Sequence, residues 1–315
     1  MLFQINYRKI FKDAGIRLPG LLDRLDPDNT NIIDYIEWSK LLTPCDLPRI
    51  CCSFRKAHHP LAQATPSPQE VKLMKAMLKR ADTLAQEAYK NKVRLLIDAE
   101  QHRYQAAIDN IVLGLQRKYN SFERSEVPII FNTYQCYLKD MPKRVKLDVE
   151  RSRRYSYHFG AKLVRGAYMV SERERAMKMG YPSPIQDTIE DTHACYDSSM
   201  AYLLNYRVSH NNSLEVMCAS HNQSSIIKAI ELAGELGIKP NDSALHFAQL
   251  LGMSDNLTYA LGKRSFQAYK YVPYGKVQEV MPYLLRRAQE NRDMLEKSKY
   301  ENKLILQELK RRVFS

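Results

Sequence analysis

The sequence predicts an α/β fold of the (βα)8 barrel type, and three observations support this prediction. Six short apolar runs are each followed by a stretch with helical spacing, and they lie at 93–100, 128–135, 159–168, 214–222, 244–253 and 267–275. This alternation builds a parallel sheet, which closes into a barrel or stays open with helices on both faces. No GxGxxG motif follows a strand, which disfavours a dinucleotide-binding open sheet. Polar residues stand at the strand ends, where a barrel carries its active site.

The helices between these strands are predicted from apolar periodicity and from start and stop signals. A Ser-Pro pair opens the first, and Val71, Met74, Met77 and Leu78 then recur at helical spacing. The helix after the fourth strand closes on Gly237. The predicted helices lie at 67–91, 102–119, 145–156, 186–208, 224–237, 276–296 and 299–313, with a short one after 253.

A proline-rich stretch divides the chain into three regions. Residues 44–68 hold five prolines, which is typical of a linker or an irregular loop. We therefore predict a helical segment at 1–43, a linker at 44–68 and the barrel region at 69–315.

Composition indicates a soluble globular protein, with 44% hydrophobic and 26% charged residues. The net charge is +13, but Lys and Arg are scattered, which favours a basic solvated surface over a nucleic-acid-binding protein. No apolar run approaches the ~18–20 residues of a membrane span, so any membrane contact would be peripheral. None of the six cysteines has CxxC spacing, which indicates a reducing compartment. The basic, apolar start MLFQINYRKIFKDAG fits a short mitochondrial presequence or a helix remnant.

The stretch DPDNTNIIDYIE at 26–37 fits the twelve-residue loop of an EF-hand, a calcium-binding helix–loop–helix motif. Asn31 replaces the usual glycine at the sixth position, where Asn tolerates a left-handed backbone. A calcium site and a metal-free loop both stay open, because EF-hands normally occur in pairs. The candidate ligands are Asp26, Asp28, Thr30, the carbonyl of Ile32, Asp34 and Glu37.

Two neighbouring arginines stand out in the helix at 276–296. Tyr283, Arg286, Arg287 and Glu290 follow the spacing i, i+3, i+4, i+7 and therefore share one face. Two guanidinium groups can bind a carboxylate or phosphate in bidentate fashion. An ordinary surface pair balanced by Glu290 is the alternative. Pro282 predicts a kink, or a regular helix that starts near it.

Three strand ends carry further candidate groups. Asp98 and Glu100 occupy alternate positions, as acid/base groups or metal ligands would. The string KLVRGAY places two cations next to Gly166, which allows a ligand to approach the backbone. The string ASHN at 219–222 opens a helix, where unpaired backbone N–H groups favour an anion.

Seven strings in order resemble the eukaryotic proline dehydrogenase family over about residues 69–313: LLIDAEQ, FNTYQCYLKD, GAKLVRGAYM, ASHN, QLLGMSD, YKYVPYG and PYLLRRAQEN. The resemblance implies a distorted (βα)8 barrel with FAD at its mouth. It also implies a mitochondrial enzyme on the matrix side of the inner membrane. That enzyme would oxidise L-proline to 1-pyrroline-5-carboxylate and pass electrons to a membrane quinone.

The same resemblance assigns roles to individual residues. Arg286 and Arg287 would hold the substrate carboxylate, and Leu250 and Tyr283 would line the pocket. Tyr271 would cover the substrate ring and hydrogen-bond Asp98. The implied FAD contacts are Gln135, Lys162, Arg165, Gly166, Ala167, Ser220, His221, Asn222 and Glu290.

The chain departs from the family pattern at its start. The family has two barrel strands before the DAEQ strand, the second with a substrate-binding lysine, and neither is found in this sequence. We therefore expect a barrel region without its first two strands. One alternative is a truncated, non-catalytic protein that responds to calcium. Another is a hydroxyproline dehydrogenase, but these tend to have a small residue where this chain has Tyr271.

Overall fold

The computed structural model describes residues 2–3, 33–41, 66–210, 213–290 and 294–314. Near the start of the chain, β1 (Leu2–Phe3) pairs antiparallel with β2 (Ile33–Asp34), and helix α1 (Tyr35–Leu41) follows directly.

The six predicted strands are all present within these residues. They form one sheet in chain order: β3 (Leu95–Ile97), β4 (Ile130–Gln135), β5 (Phe159–Val164), β6 (Leu214–Ala219), β7 (Leu245–Leu250) and β8 (Gln267–Tyr271). The pairs β3–β4, β6–β7 and β7–β8 are parallel. Sequential parallel neighbours are what repeated βα units produce. The α/β prediction is therefore confirmed, with six of the eight strands of a closed barrel among the described residues.

Helices follow the strands as the periodicity predicts, with one addition. They are α2 (Pro68–Lys90), α3 (His102–Tyr119), α4 (Met141–Arg154), α5 (Met169–Met179), α6 (Ile189–Ser209), α7 (Gln223–Glu235), α8 (Asp255–Lys263), α9 (Val277–Glu290) and α10 (Met294–Phe314). Helix α5 was not predicted, because its sequence MVSERERAMKM is rich in charge and buries only Glu172 and Ala176. The predicted helix at 145–156 begins earlier, at Met141.

Local signals set several helix ends. At the start of α2, Glu70 accepts a hydrogen bond from the Ser67 backbone N–H at 2.7 Å, and Ser67 Oγ accepts one from the Glu70 N–H at 3.3 Å. This capping box, with Pro68 at the first turn, confirms the predicted start. Pro282 lies inside α9, which begins at Val277, so a start near Pro282 is wrong.

The chain divides into two compact units, described separately below. The first contains Met1–Asp98, His102–Asn132 and Lys143–Phe159, and the second contains Ala99–Gln101, Thr133–Pro142 and Gly160–Ser315. The predicted linker at 44–68 falls outside the described residues as far as residue 65, so its place as a boundary stays a prediction.

In the first unit, α2 and α3 pack their apolar faces against the start of β4. The core there comprises Ala85, Ile111, Val112, Leu115, Tyr119, Ile129 and Ile130. The fully buried amide of Asn120 ties this region together. Its Oδ1 accepts from the N–H groups of Ile129 and Ile130 at 2.9 and 2.8 Å, and its Nδ2 donates to the carbonyls of Ile130 and His158 at 2.8 and 3.0 Å.

Helix α1 is fastened to α4 by polar contacts. Asp34 Oδ1 caps α1 by accepting from the Ile36 N–H at 2.8 Å, and its Oδ2 accepts from Arg154 Nη1 at 2.9 Å. Glu37 accepts from the Tyr155 hydroxyl at 2.8 Å. Burial alone would raise the pKa of Asp34, but the hydrogen bonds and charge of Arg154, with the backbone caps, outweigh it and lower that pKa from 3.8.

Two of the six predicted calcium ligands are therefore bound to protein donors. The other four, Asp26, Asp28, Thr30 and Ile32, lie outside the described residues. Among the residues that the structure describes, no three His, Cys, Asp or Glu side chains gather in a metal-binding arrangement.

In the second unit, helix α6 packs against β6 and against α7, and apolar side chains of β6, β7 and both helices are buried. Leu203, Val216, Ala229 and Phe247 are fully buried. Thr188 and Asp191 form a capping box at the start of α6. No described helix is both long enough and apolar enough to cross a membrane.

Candidate functional site

The predicted site residues of the second unit gather at one edge of the sheet. Gln135, Leu250 and Tyr271 are the last residues of β4, β7 and β8, and Arg165 and Ser220 directly follow β5 and β6. In a parallel sheet the carboxyl ends of all strands lie at the same edge, which is where (βα) folds bind ligands.

Arg165 is held by three hydrogen bonds and an aromatic ring. Its Nε donates to His193 Nδ1 at 2.9 Å, its Nη1 to Ser220 Oγ at 2.7 Å and its Nη2 to Ser225 Oγ at 2.9 Å. The guanidinium carbon lies 4.5 Å from the centroid of the Tyr196 ring, within cation–π range. A guanidinium has five N–H groups, so these bonds to described residues leave two for a ligand.

The segment Ser220–Asn222 forms the start of α7. Asn222 caps the helix, since its Oδ1 accepts from the Ser225 N–H at 3.2 Å. Ser220 Oγ accepts from the Asn222 N–H at 3.1 Å. His221 Nε2 accepts from the Leu250 N–H at 3.0 Å, so a neutral His221 ring carries its proton on Nδ1. A helix start beside Arg165 is a favourable place for an anion.

Gly166, next to Arg165, allows the Tyr137 ring to lie close to the backbone. Its φ is +132°, and a Cβ placed there would lie 2.5 Å from the Tyr137 ring. The Tyr137 side chain is buried, so this ring has little freedom to move away. The position therefore requires glycine, because any side chain would meet both backbone strain and a clash.

Two aromatic rings and an arginine stand at the end of β8. The rings of Tyr271 and Tyr283 are 5.6 Å apart at their centroids, and the Arg287 guanidinium carbon lies 5.3 Å from the Tyr283 centroid. Leu250 is paired with Tyr271 in the register of β7 and β8. Tyr283 and Arg287 are half-buried, while Tyr271 is 42% exposed. An apolar, cationic corner of this kind suits a small ring that bears a carboxylate.

The structure places the remaining candidates less closely. Lys162 lies in β5 and Ala167 follows Gly166, both half-buried. Gln135 is buried and donates from Nε2 to the carbonyl of Glu100 at 2.8 Å. For Arg286 and Glu290 the structure describes the backbone of α9 but not the side chains. Asp98 belongs to the first unit, exposed at the end of β3, and its contact with Tyr271 stays a prediction.

The residues that hold this edge of the sheet in place were not identified from the sequence. Lys270 Nζ donates to the carbonyl of Met253 at 2.7 Å and pairs with Asp255 at 2.6 Å, which ties β8 to the loop after β7. Thr258 donates to the buried Gln249 Oε1 at 2.8 Å. Gln249 and Lys270 lie on strands, whereas Asp255 and Thr258 lie on α8, so no single periodic pattern in the sequence joins them.

Three buried cysteines are free thiols in the same unit. Burial raises the pKa of Cys136 well above its ordinary value and that of Cys218 to about 12. The hydrogen bond from the Cys136 thiol instead lowers the pKa of Cys195. Cys136 and Cys218 therefore stay protonated at neutral pH, as structural rather than nucleophilic groups do.

A comparison with models of known protein families shows which family this chain belongs to. The family model for proline dehydrogenase matches residues 37–300. This chain belongs to the proline dehydrogenase family. The predicted resemblance is thereby confirmed, over a somewhat longer stretch than its seven strings cover.

The curated relatives of this family member are longer proteins. It is 48% identical over 240 residues to "Proline dehydrogenase 1, mitochondrial" of Homo sapiens, covering 76% of this chain and 39% of that protein. With the protein of the same name from Caenorhabditis elegans, identity is 39% over 301 residues, covering 93% of this chain and 48% of the relative. A "Hydroxyproline dehydrogenase" of Bos taurus is 41% identical over 246 residues, with 78% and 53% covered. The chain thus spans about half the length of these relatives, or less.

A solved structure supports the fold. Proline utilization A (PutA) from Bdellovibrio bacteriovorus, inactivated by N-propargylglycine, superposes with a TM-score of 0.62 at 24% identity. The match covers 69% of this chain and 22% of that one.

Proposed function

We propose that this chain carries the flavin- and substrate-binding edge of a mitochondrial, FAD-dependent proline dehydrogenase. The reaction is the oxidation of L-proline to 1-pyrroline-5-carboxylate in proline catabolism. Membership of the family supports the activity, and relatives named mitochondrial support the location. The observation that carries the proposal is the cluster of Tyr271, Tyr283 and Arg287 at the carboxyl edge of the sheet.

Substrate binding would combine charge with ring packing. Arg287, with Arg286 beside it in α9, holds the carboxylate of proline, and Leu250, Tyr271 and Tyr283 enclose the ring. Each charge-assisted hydrogen bond of a guanidinium to a carboxylate contributes about 1.5–3 kcal/mol. These residues would orient the ring carbon next to nitrogen, from which hydride leaves.

The donors at this edge fit a flavin dinucleotide. Its pyrophosphate is an anion, and Arg165 together with the start of α7 supplies N–H groups and positive charge for it. Gly166 allows the Tyr137 ring to lie against the backbone next to Arg165. When bound, FAD would supply the hydride acceptor. The proposed contacts are Gln135, Lys162, Arg165, Gly166, Ala167, Ser220, His221, Asn222 and Glu290.

Tyr271 favours proline over hydroxyproline as the substrate. Its ring ends β8 and lies next to Tyr283, which leaves less room for a hydroxyl on the substrate ring. Relatives of both names are similar to this chain, so overall similarity does not choose between the two substrates, and the proposal of proline rests on this side chain.

Electron transfer to a quinone would bring the protein to the inner mitochondrial membrane. Helix α10 supports a peripheral contact through a stripe of apolar side chains, each more than half exposed: Ile305, Leu306, Leu309 and Val313. At 100° per residue, Lys310 and Arg312 flank this stripe on its two sides. A helix with this pattern lies flat on an anionic lipid surface.

Calcium binding at 26–37 is a second, separate proposal. Helix α1 begins directly after Asp34, near the end of the predicted loop, which supports it. For Ca²⁺ to bind, Asp34 and Glu37 must exchange Arg154 and Tyr155 for the ion. Ca²⁺ added to the full chain should then change the emission of Trp38, the single tryptophan, and Asp34→Asn should abolish that change. An unchanged emission together with no heat of Ca²⁺ binding in calorimetry would contradict the proposal.

Flavin reduction tests the main proposal directly. The purified full chain is mixed with FAD, and unbound FAD is removed. Its absorption spectrum is then recorded without oxygen, before and after L-proline is added. We expect a yellow protein whose flavin band bleaches with L-proline and much less with trans-4-hydroxy-L-proline. A protein that retains FAD but does not bleach would refute the activity, and a colourless one would refute the cofactor.

A further inference from the structure

Arg165 is held from the side of helix α6 as well as from the sheet. His193, in the second turn of α6, accepts the single Nε–H of Arg165 at Nδ1. The next turn of the same helix provides Tyr196, whose ring lies under the guanidinium. Helix α6 therefore holds the Arg165 guanidinium both at its Nε–H and against one face of its plane.

The terminal nitrogen Nη2 of the guanidinium leads to a counter-charge. Ser225 Oγ accepts from Arg165 Nη2 and donates to Asp197 Oδ1 at 2.5 Å, and Lys228 Nζ donates to Asp197 Oδ2 at 2.6 Å. Helix α6 thus contributes His193, Tyr196 and Asp197 around a single arginine. Helix α7 contributes Ser225 and Lys228.

The hydrogen bond that His193 accepts from Arg165 Nε determines how the guanidinium is oriented. Nε carries one N–H, and His193 accepts it. Each terminal nitrogen carries two N–H groups, and the bonds to Ser220 and Ser225 use one on each, so one N–H on each is left for a ligand. The bond to His193 also fixes rotation of the guanidinium about its last side-chain torsion. A long cationic side chain held in one rotamer before binding loses less conformational entropy when the ligand arrives.

We infer that His193 is a positioning residue for flavin binding, acting through Arg165. The inference rests on the proposed function, in which Arg165 contacts FAD. His193 itself touches Arg165 and is assigned no contact with flavin or substrate. Its required property is an acceptor at the Nδ1 position, which the side-chain oxygen of Asn reproduces and Leu lacks.

The test compares three variants of the full chain. His193→Leu removes the acceptor, His193→Asn restores it, and His210→Leu is a control at the far end of α6, where His210 is exposed and stacks on Tyr206. The Kd for FAD is measured by quenching of flavin fluorescence as apoprotein is added. We expect His193→Leu to raise this Kd roughly tenfold, because the freed Arg165 side chain must then be ordered when FAD binds, with His193→Asn and His210→Leu close to the parent chain.

A second readout needs neither flavin nor activity. In flavin-free protein, the Nε–H of Arg165, assigned with Arg165→Lys, should exchange slowly with solvent in the parent chain and in His193→Asn, and fast in His193→Leu. If the parent chain binds no FAD, the proposed function fails while this exchange still tests the contact. If the parent binds FAD and His193→Leu binds it equally well, or His193→Asn fails to restore affinity, the inference is overturned. Slow exchange retained in His193→Leu overturns it as well.

Discussion

Replacing Gly166 with alanine should destabilise the protein through two separable effects. Its φ of +132° lies in a region open essentially to glycine, which costs an alanine about 1–3 kcal/mol. The new Cβ would also lie 2.5 Å from Cδ1 of Tyr137, whose side chain is only 3% exposed. Overpacking of a buried site adds about 1–3 kcal/mol. The expected loss in the free energy of unfolding is therefore about 2–6 kcal/mol.

The chain offers a matched control at Gly180, which ends α5. Its φ is +72°, and no atom of the described residues lies within 4 Å of a Cβ built there. Gly180→Ala meets backbone strain alone, about 1–2 kcal/mol. In a Tyr137→Leu background the clash at Gly166 is relieved, so Gly166→Ala should cost only its strain.

Equilibrium unfolding in urea measures each free energy, and the double-mutant cycle isolates the contact between the two side chains. Equal losses for Gly166→Ala and Gly180→Ala would refute the close approach of Tyr137 to the backbone. So would a Gly166→Ala cost that is unchanged in the Tyr137→Leu background. FAD affinity should fall with Gly166→Ala and stay constant with Gly180→Ala.

Three further predictions follow from the site and its supports. Arg287→Ala should raise the KM for L-proline about 10- to 150-fold, because one charge-assisted interaction with the carboxylate is lost. An unchanged KM in steady-state kinetics would contradict that role. Lys270→Met should lower the free energy of unfolding by about 1 kcal/mol, measured in urea, because Met253 and the start of α8 at Asp255 lose their contact with β8. A variant as stable as the parent would argue against that contact. The pKa of Asp34 is lowered in the folded protein, so its ion pair with Arg154 stabilises the fold above pH 3.8 and is lost as pH falls through the lower, folded value. Acid unfolding followed by circular dichroism should show this dependence and Asp34→Asn should lack it; identical acid profiles would exclude the linkage.

Strands and most helices could be predicted because their signals are local. Apolar runs between turn residues located all six sheet strands, and the Ser67–Pro68 pair located the start of α2. Helix α5 was missed because only Glu172 and Ala176 are buried, so an apolar period is absent. Pro282 left two alternatives, a kinked helix or a helix that starts near the proline, and α9 runs through it from Val277.

The partners of Arg165 show where prediction of the site stops. The strings GAKLVRGAYM and ASHN indicated Arg165 and Ser220 by resemblance, but His193 and Ser225 lie 28 and 60 residues away from Arg165. Which of these side chains meet depends on the rotation of α6 and α7 against the sheet. A single sequence carries no periodic signal for that arrangement.

The side-chain amide of Asn120 forms hydrogen bonds that a backbone peptide group would otherwise form. It satisfies two N–H groups and two carbonyls, as a neighbouring strand would, and so uses its whole bonding capacity. Glutamine is the one other side chain with the same groups, and it is a methylene too long. Slow hydrolysis of this amide to a carboxylate during ageing would set a negative charge against the carbonyl oxygens of Ile130 and His158. The age of a preparation could therefore alter the first unit without any change in its gene.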